Sequence, residues 1–125
     1  MKNLEQIRAA HALKFWEREL KSDLGGDNDG NVISGLPSLI INNGLLATLA
    51  FAKSKKGGHE TFANEIGRFL ASTGEDGRKL LDPKAGSMDG LITVLSSSDS
   101  QVLQQATAET LAYLGYLKRF QIKKS

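Results

Sequence analysis

Apolar residues recur along this chain at the three- and four-residue spacing of amphipathic helices, and no segment alternates apolar and polar residues as strands do. The longest apolar stretch, Leu36–Ala52, covers every side of a helical wheel, which is typical of a helix buried on all sides. Pro37 suits its first turn, and interruptions at Asn42, Asn43 and Gly44 leave it too short for a membrane span of about 20 apolar residues. We therefore predict a central core element, in which Gly44 either separates two helices or admits a close neighbour.

The same periodicity predicts four further helices. They run from about Lys2 to Lys21, across Phe62–Leu70, around Met88–Leu95, and from about Asp99 to Phe120. The first of these helices carries an apolar stripe of Ala9, Leu13, Trp16 and Leu20. The second carries an apolar face of Phe62, Ile66, Phe69 and Leu70. Ser98 and Gln101 are spaced as a capping box at the start of the last helix. Loops are expected near 22–31, 56–59 and 72–87, where Gly, Asp, Ser and Pro cluster. The prediction is an all-α, compact, single-domain bundle of about five or six helices over residues 1–125, around a buried central helix.

Composition and charge change this picture little. The chain has 125 residues, no cysteine and a formal net charge of +2, as expected of an ordinary globular domain without disulfides or thiolate metal sites. Its N-terminus has charges throughout and no apolar signal region, so a cytoplasmic location is expected. Positive charges gather after two apolar helices, as Lys53, Lys55 and Lys56 and as Lys118 and Arg119. Such cations either offset a helix macrodipole by about 0.3–1 kcal/mol each or form an anion-facing patch, and the role of the first cluster stays open.

One face of the first helix is positive. His11, Lys14, Arg18 and Lys21 follow a three- and four-residue spacing and therefore share a face. Such a face either tracks a phosphate backbone or is simply solvated, with Glu17 and Glu19 as partial counterions.

The residues offer no catalytic or metal-binding constellation. The Asp-rich segment Asp23–Asn31 fails the EF-hand pattern at both anchoring ligands, and the two histidines have no carboxylates at zinc-ligand spacing. Glu109 stands alone in an apolar helix, where it is either a buried acid or, more often, a residue that pairs with a basic neighbour or sits at an interface. We therefore expect a non-enzymatic protein with no cofactor and no metal.

Two segments carry a family resemblance. LPSLIINNGLLATLAF at Leu36–Phe51 and TAETLAYLGYLKRF at Thr107–Phe120 resemble the small, all-helical subunit of the type III-B CRISPR RNA-guided effector, the Cmr complex. The matching residues are Leu36, Pro37, Leu39, Ile40, Asn43, Gly44, Leu45, Leu49, Phe51, Glu109, Tyr116, Leu117, Lys118, Arg119 and Phe120. The chain departs from the family pattern at Ile41, where an arginine is common, and at Tyr116, where a tryptophan is common.

The resemblance implies a structural subunit that stacks with further copies of itself and with other Cmr subunits along the guide RNA and its paired target RNA, in antiviral defence. Candidate RNA contacts are Lys14, Arg18, Lys21, Lys118 and Arg119, and candidate partner contacts are Asn42, Asn43 and Tyr116. The alternatives are a helical adaptor without RNA affinity and a small helical enzyme or ligand-binding protein whose site uses Glu109, Tyr113 and the asparagines.

Overall fold

Six α-helices and no strand lie within the residues that the computed structural model describes, which are 2–19, 27–73 and 77–121, with the first five of the second range described by their backbone alone. The helices are α1 (Leu4–Glu19), α2 (Asp27–Asn43), α3 (Leu45–Lys55), α4 (Gly58–Leu70), α5 (Met88–Ser97) and α6 (Ser100–Arg119). A 3₁₀ turn at Pro83–Ala85 precedes α5. The predicted all-α class and helix number are confirmed.

The buried central helix is α4. It packs against α2, α3, α5 and α6. More than half of its residues are buried, namely Phe62, Ala63, Glu65, Ile66, Gly67, Phe69 and Leu70. The apolar face predicted for this helix is therefore confirmed, with the addition of a glutamate that sequence reasoning passed over.

The stretch Leu36–Ala52, expected to be the buried centre, is instead two helices that each bury one side. Gly44 separates them with a φ of +93°, a backbone conformation that L side chains rarely adopt. The inward side consists of Leu36, Ile40, Leu45, Leu49 and Ala52. On the outward side Ile41 is 70 % exposed and Phe51 is 44 % exposed. The prediction of burial on all sides was wrong, because the apolar character of this stretch is shared between a core face and a surface.

The second helix begins earlier than predicted. Asp27–Gly30 and Asn31 belong to α2, so the expected loop near 22–31 does not reach its predicted end, and residues 20–26 lie outside the described residues. Pro37 lies inside this helix and not in its first turn. Ile33, Leu36 and Ile40 explain the extension, because they are buried at helical spacing and hold the helix against the core on both sides of the proline.

The first helix buries Trp16 of the predicted stripe but otherwise a different set of residues. Its buried residues are Ile7, Ala12, Phe15 and Trp16. Leu13, which was assigned to the core, is 47 % exposed, and Leu20 lies outside the described residues. The aromatic pair sets the inward direction of α1, because Phe15 and Trp16 both contact the ring of Phe62, with centroids 5.5 and 6.2 Å away.

Two connections bring their neighbouring helices close to the core. Only Lys56 and Gly57 separate α3 from α4. The segment before α5 is held to the end of α4, because the N–H groups of Leu80 and Leu81 both donate to the carbonyl of Leu70 at 3.0 Å. The N-cap of α6 is Asp99, whose carboxylate accepts from the Val102 N–H at 2.9 Å, and not the predicted Ser98.

Candidate nucleic-acid interface

Helices α1 and α6 run parallel. Arg8 binds Glu109, and the indole Nε1 of Trp16 donates to the Leu117 carbonyl at 2.8 Å, so both contacts join residues 101 positions apart. A constant offset means that the two helices advance in the same direction. Their C-terminal turns therefore meet at one end of the bundle.

Helix α4 runs the opposite way and brings a third segment to that end. Going along α1, His11 contacts Phe69 at a ring distance of 5.2 Å, and Phe15 then contacts Phe62 at 5.5 Å. The N-terminus of α4 consequently lies beside the C-terminal turns of α1 and α6. The C-terminus of α3 is there too, because it precedes α4 by two residues.

This arrangement collects positive charge at one end of the molecule. We name the exposed residues Lys14, Arg18, Lys55, Lys56, Lys118 and Arg119 the basic end. Of the predicted RNA contacts, Lys14, Arg18, Lys118 and Arg119 are exposed on the C-terminal halves of α1 and α6, which meet at this end, whereas Lys21 lies outside the described residues. Lys55 and Lys56, whose role the sequence left open, join them. Lys53, one turn earlier, pairs with Asp89 through an Nζ–Oδ1 distance of 3.0 Å.

Arg18 is not a free surface cation. Its Nη2 lies 2.9 Å from Oε1 of Glu65, a side chain that is only 2 % exposed, and Arg68 reaches the same oxygen at 3.2 Å. The phenol of Tyr113 donates to the other oxygen, Oε2, at 2.5 Å. Burial raises the pKa of Glu65, against the opposing effects of the tyrosine hydrogen bond and the arginine charges, and burial likewise raises the pKa of Tyr113. Arg18 therefore helps hold α1 against α4, which reduces its availability to RNA.

Sequence reasoning missed Glu65, although a signal was present. The residue lies three positions after Phe62 and four before Phe69, and therefore on the apolar face of α4. A carboxylate at that register is expected to be buried and paired.

The predicted partner contacts are not brought together. Asn42 and Asn43 are exposed at the end of α2, and no side-chain hydrogen bond caps α3 at Gly44. They are separated from the basic end by the length of α3, about 16 Å at 1.5 Å per residue. Tyr116 is partly buried near that end, with the guanidinium of Arg119 5.8 Å from the centre of its ring.

Glu109 lies at the bottom of a cleft and is paired by two arginines. Arg8 donates through Nε at 2.5 Å and Nη2 at 3.0 Å, and Arg78 donates through Nε at 2.7 Å. Burial by itself would raise the pKa of Glu109, but the hydrogen bonds and charges of the two arginines outweigh it, so the pKa lies below its ordinary value. Of the two sequence interpretations, pairing with basic neighbours is confirmed.

The cleft has a volume of about 310 Å³. Its lining residues are Arg8, Arg78, Leu80, Gln105, Ala108 and Glu109. Tyr113 does not line this cleft and binds Glu65 instead. Glu109 and Tyr113, which the alternative ligand site would combine, therefore belong to separate hydrogen-bond networks.

The described residues contain no group of three side chains placed to hold a metal ion, and each of their buried side-chain nitrogen and oxygen atoms has a hydrogen-bond partner. None of the helices in the described ranges has the length and apolarity needed to cross a bilayer.

The family model described as CRISPR-associated protein (Cas_Cmr5) matches residues 4–122. Comparisons with curated proteins and with solved structures gave no match.

Proposed function

Because this chain belongs to the CRISPR-associated Cas_Cmr5 family, whose members are subunits of the type III-B complex, we propose that it is a non-catalytic structural subunit that holds RNA through its basic end. In this proposal it stacks with further copies of itself and with other Cmr subunits along the duplex of guide RNA and target RNA, in the cytoplasm, as part of antiviral defence. The convergence of three helix ends on one positive surface is the observation that supports RNA contact.

The chemistry of the basic end favours phosphate groups over bases. Lysine and arginine side chains bind backbone phosphates without reading sequence, and in an RNA-guided complex the guide supplies sequence by base pairing. A single copy then needs little affinity of its own, because several copies along one duplex add avidity.

Neutralising the exposed lysines of this surface tests the proposal. Complexes assembled with a Lys14→Gln/Lys118→Gln subunit should bind target RNA more weakly than the wild type, and their salt dependence should flatten by about 0.7–0.9 in log–log slope for each phosphate that is no longer neutralised. Both side chains are exposed and neither is in an ion pair among the described residues, so the fold should be unaffected. Arg18 is left in place because of its contact with Glu65.

Lys84→Gln is the matched control. This exposed lysine sits in the 3₁₀ turn before α5. The next residue, Ala85, lies against Gly67 in the C-terminal half of α4, whereas the basic end lies at the N-terminus of α4. RNA affinities that are equal for the double variant and the wild type at every salt concentration would contradict the proposal, as would an equal loss in the control.

An adaptor that binds protein alone is the second candidate, and one observation favours it. No charged residue occurs from Val32 to Ala52, and the surface of that segment exposes Ile41 and Phe51. An Ile41→Ser subunit that fails to enter the complex, combined with unaltered RNA binding in the lysine variants, would favour the adaptor.

A further inference from the structure

The cleft over Glu109 is a second positive surface, distinct from the basic end. Its carboxylate carries one negative charge and its two arginines carry two positive charges, so the cluster has a net charge of +1. Each arginine side chain is 21 % exposed, while Glu109 is 4 % exposed. The positive groups thus lie between the buried carboxylate and solvent.

Both arginines have guanidinium N–H groups that do not bind Glu109. Arg8 uses Nε and Nη2 on Glu109, and Arg78 uses Nε. Within the part of the chain that the structure describes, Nη1 of Arg8 and both Nη atoms of Arg78 make no hydrogen bond to Glu109. Two planar guanidinium groups, fixed by one carboxylate and lining a cleft of about 310 Å³, suit the bidentate recognition of an anionic group with several oxygens.

We propose that this cleft seats one phosphate group of an RNA strand between Arg8 and Arg78, with Glu109 as the positioning residue that holds both guanidinium groups. The proposal rests on the proposed function and extends RNA contact from the basic end along the α1–α6 groove. A phosphodiester would neutralise the remaining positive charge of the cluster.

The course of α6 favours RNA over an acidic protein segment as the occupant. Glu109, Ala112, Tyr116 and Arg119 follow the three- and four-residue spacing of one helix face. The face therefore leads from the cleft past an aromatic ring to the basic end, over about 15 Å at 1.5 Å per residue. Cationic groups spaced along one helix face can follow successive phosphates of an RNA backbone.

The test compares complexes assembled with the wild-type chain and with single and double variants by fluorescence anisotropy on a labelled target RNA, at about 50 and 200 mM salt. Arg78→Gln removes one half of the seat and should weaken binding about fivefold to tenfold at the lower salt. Lys79→Gln makes the same charge change at the next, exposed residue, and a twofold or smaller effect is expected.

A double variant distinguishes loss of the two-arginine seat from a change of net charge and from misfolding as the cause of weaker RNA binding. Arg78→Gln/Glu109→Gln leaves Arg8 as the one charge of the cluster, so its net charge stays +1 and no carboxylate is left without a partner. Weakening similar to that of Arg78→Gln supports the two-arginine seat. RNA binding by this variant that equals the wild type, or a loss in Lys79→Gln as large as in Arg78→Gln, overturns it.

Two further arms identify the occupant and separate this inference from the proposed function. A short oligoglutamate peptide should compete with RNA poorly, and competition as strong as that of unlabelled RNA assigns the cleft to protein and overturns the RNA proposal. Lys118→Gln is measured in parallel: if it weakens RNA binding while Arg78→Gln does not, the cleft inference alone fails. If neither variant weakens binding, the proposed function fails as well.

Discussion

Replacing Glu109 by glutamine should be among the most destabilising isosteric changes available to this protein. The side chain joins α1, through Arg8, to the segment before α5, through Arg78, and does so from α6. Glutamine keeps the size and one acceptor oxygen but turns an NH₂ group towards one of the two arginines. Two guanidinium groups then face each other without a counterion.

The magnitude follows from three charge-assisted hydrogen bonds, at 2.5, 3.0 and 2.7 Å, made by a carboxylate that is 4 % exposed. Such bonds contribute about 1.5–3 kcal/mol each, but they share one carboxylate whose desolvation opposes them. Removing one partner of a buried ion pair costs about 3–5 kcal/mol, and the arginines here retain some contact with water. We therefore expect a loss near the lower figure, about 3 kcal/mol, and a fall in Tm of about 10 °C.

Urea unfolding followed by circular dichroism and by the fluorescence of Trp16, the chain's single tryptophan, measures this loss. Asp89→Asn is the matched control, because it breaks the Lys53–Asp89 pair, whose side chains are 61 % and 68 % exposed. Exposed pairs contribute about 0–1 kcal/mol, so the control should remain close to wild type. A Glu109→Gln loss below about 1 kcal/mol, or one equal to the control, would refute the reasoning.

The pH dependence gives an independent check. The pKa of Glu109 is lower in the folded chain than the ordinary value of about 4.3, so its contribution is present above that pH and is lost as pH falls through the folded pKa. The difference in unfolding free energy between wild type and Glu109→Gln should therefore be constant near neutrality and shrink below about pH 4. A difference that persists undiminished in acid would show that the charge of Glu109 is not responsible.

Two further predictions concern α4 and α6. For Glu65 the sign is reversed, because its pKa is raised and the folded state binds more protons than the unfolded state above about pH 4.3. The wild type should therefore lose stability relative to Glu65→Gln as pH rises. Denaturation between about pH 4 and 8 would show this trend, and a flat or rising difference in stability would contradict it. A Cβ at Gly67 would lie 2.6 Å from the Ala85 carbonyl oxygen, so Gly67→Ala should lower Tm. A Cβ at Gly115, inside α6, would meet open space, so Gly115→Ala should raise the free energy of unfolding by about 0.5–1 kcal/mol. Equal thermal shifts in the two variants would refute the packing argument.

The sequence predicted the elements better than it predicted their exposed sides. Helix periodicity located α4, α5 and α6 because their apolar residues fall on one narrow face each. The Leu36–Ala52 stretch is apolar on all sides, so periodicity could not show that Ile41 and Phe51 lie outside. A sequence pattern shows which residues are apolar enough to be buried. Which of them are buried depends on how many neighbouring helices cover the element.

For the candidate site, the sequence could suggest residues but not their contacts. Lys14, Lys118 and Arg119 could be proposed as RNA contacts because positive residues at helical spacing are visible in the chain, and that role stays a prediction. The sequence could not show that Arg18 is held by Glu65, since that contact joins residues 47 positions apart. Nor could it show that Arg8 and Arg78 both bind Glu109, since these contacts join residues 101 and 31 positions apart.

That parallel packing also determines when the chain can finish folding during synthesis. Trp16 and Arg8 leave the ribosome about a hundred residues before Leu117 and Glu109, which at about 5–20 residues per second is a delay of roughly 5–20 s. Throughout this interval a large aromatic side chain and an arginine have no native partner on α6. The nascent first helix is thus the segment most exposed to chaperones and to neighbouring nascent chains, and its docking is the step that completes the molecule.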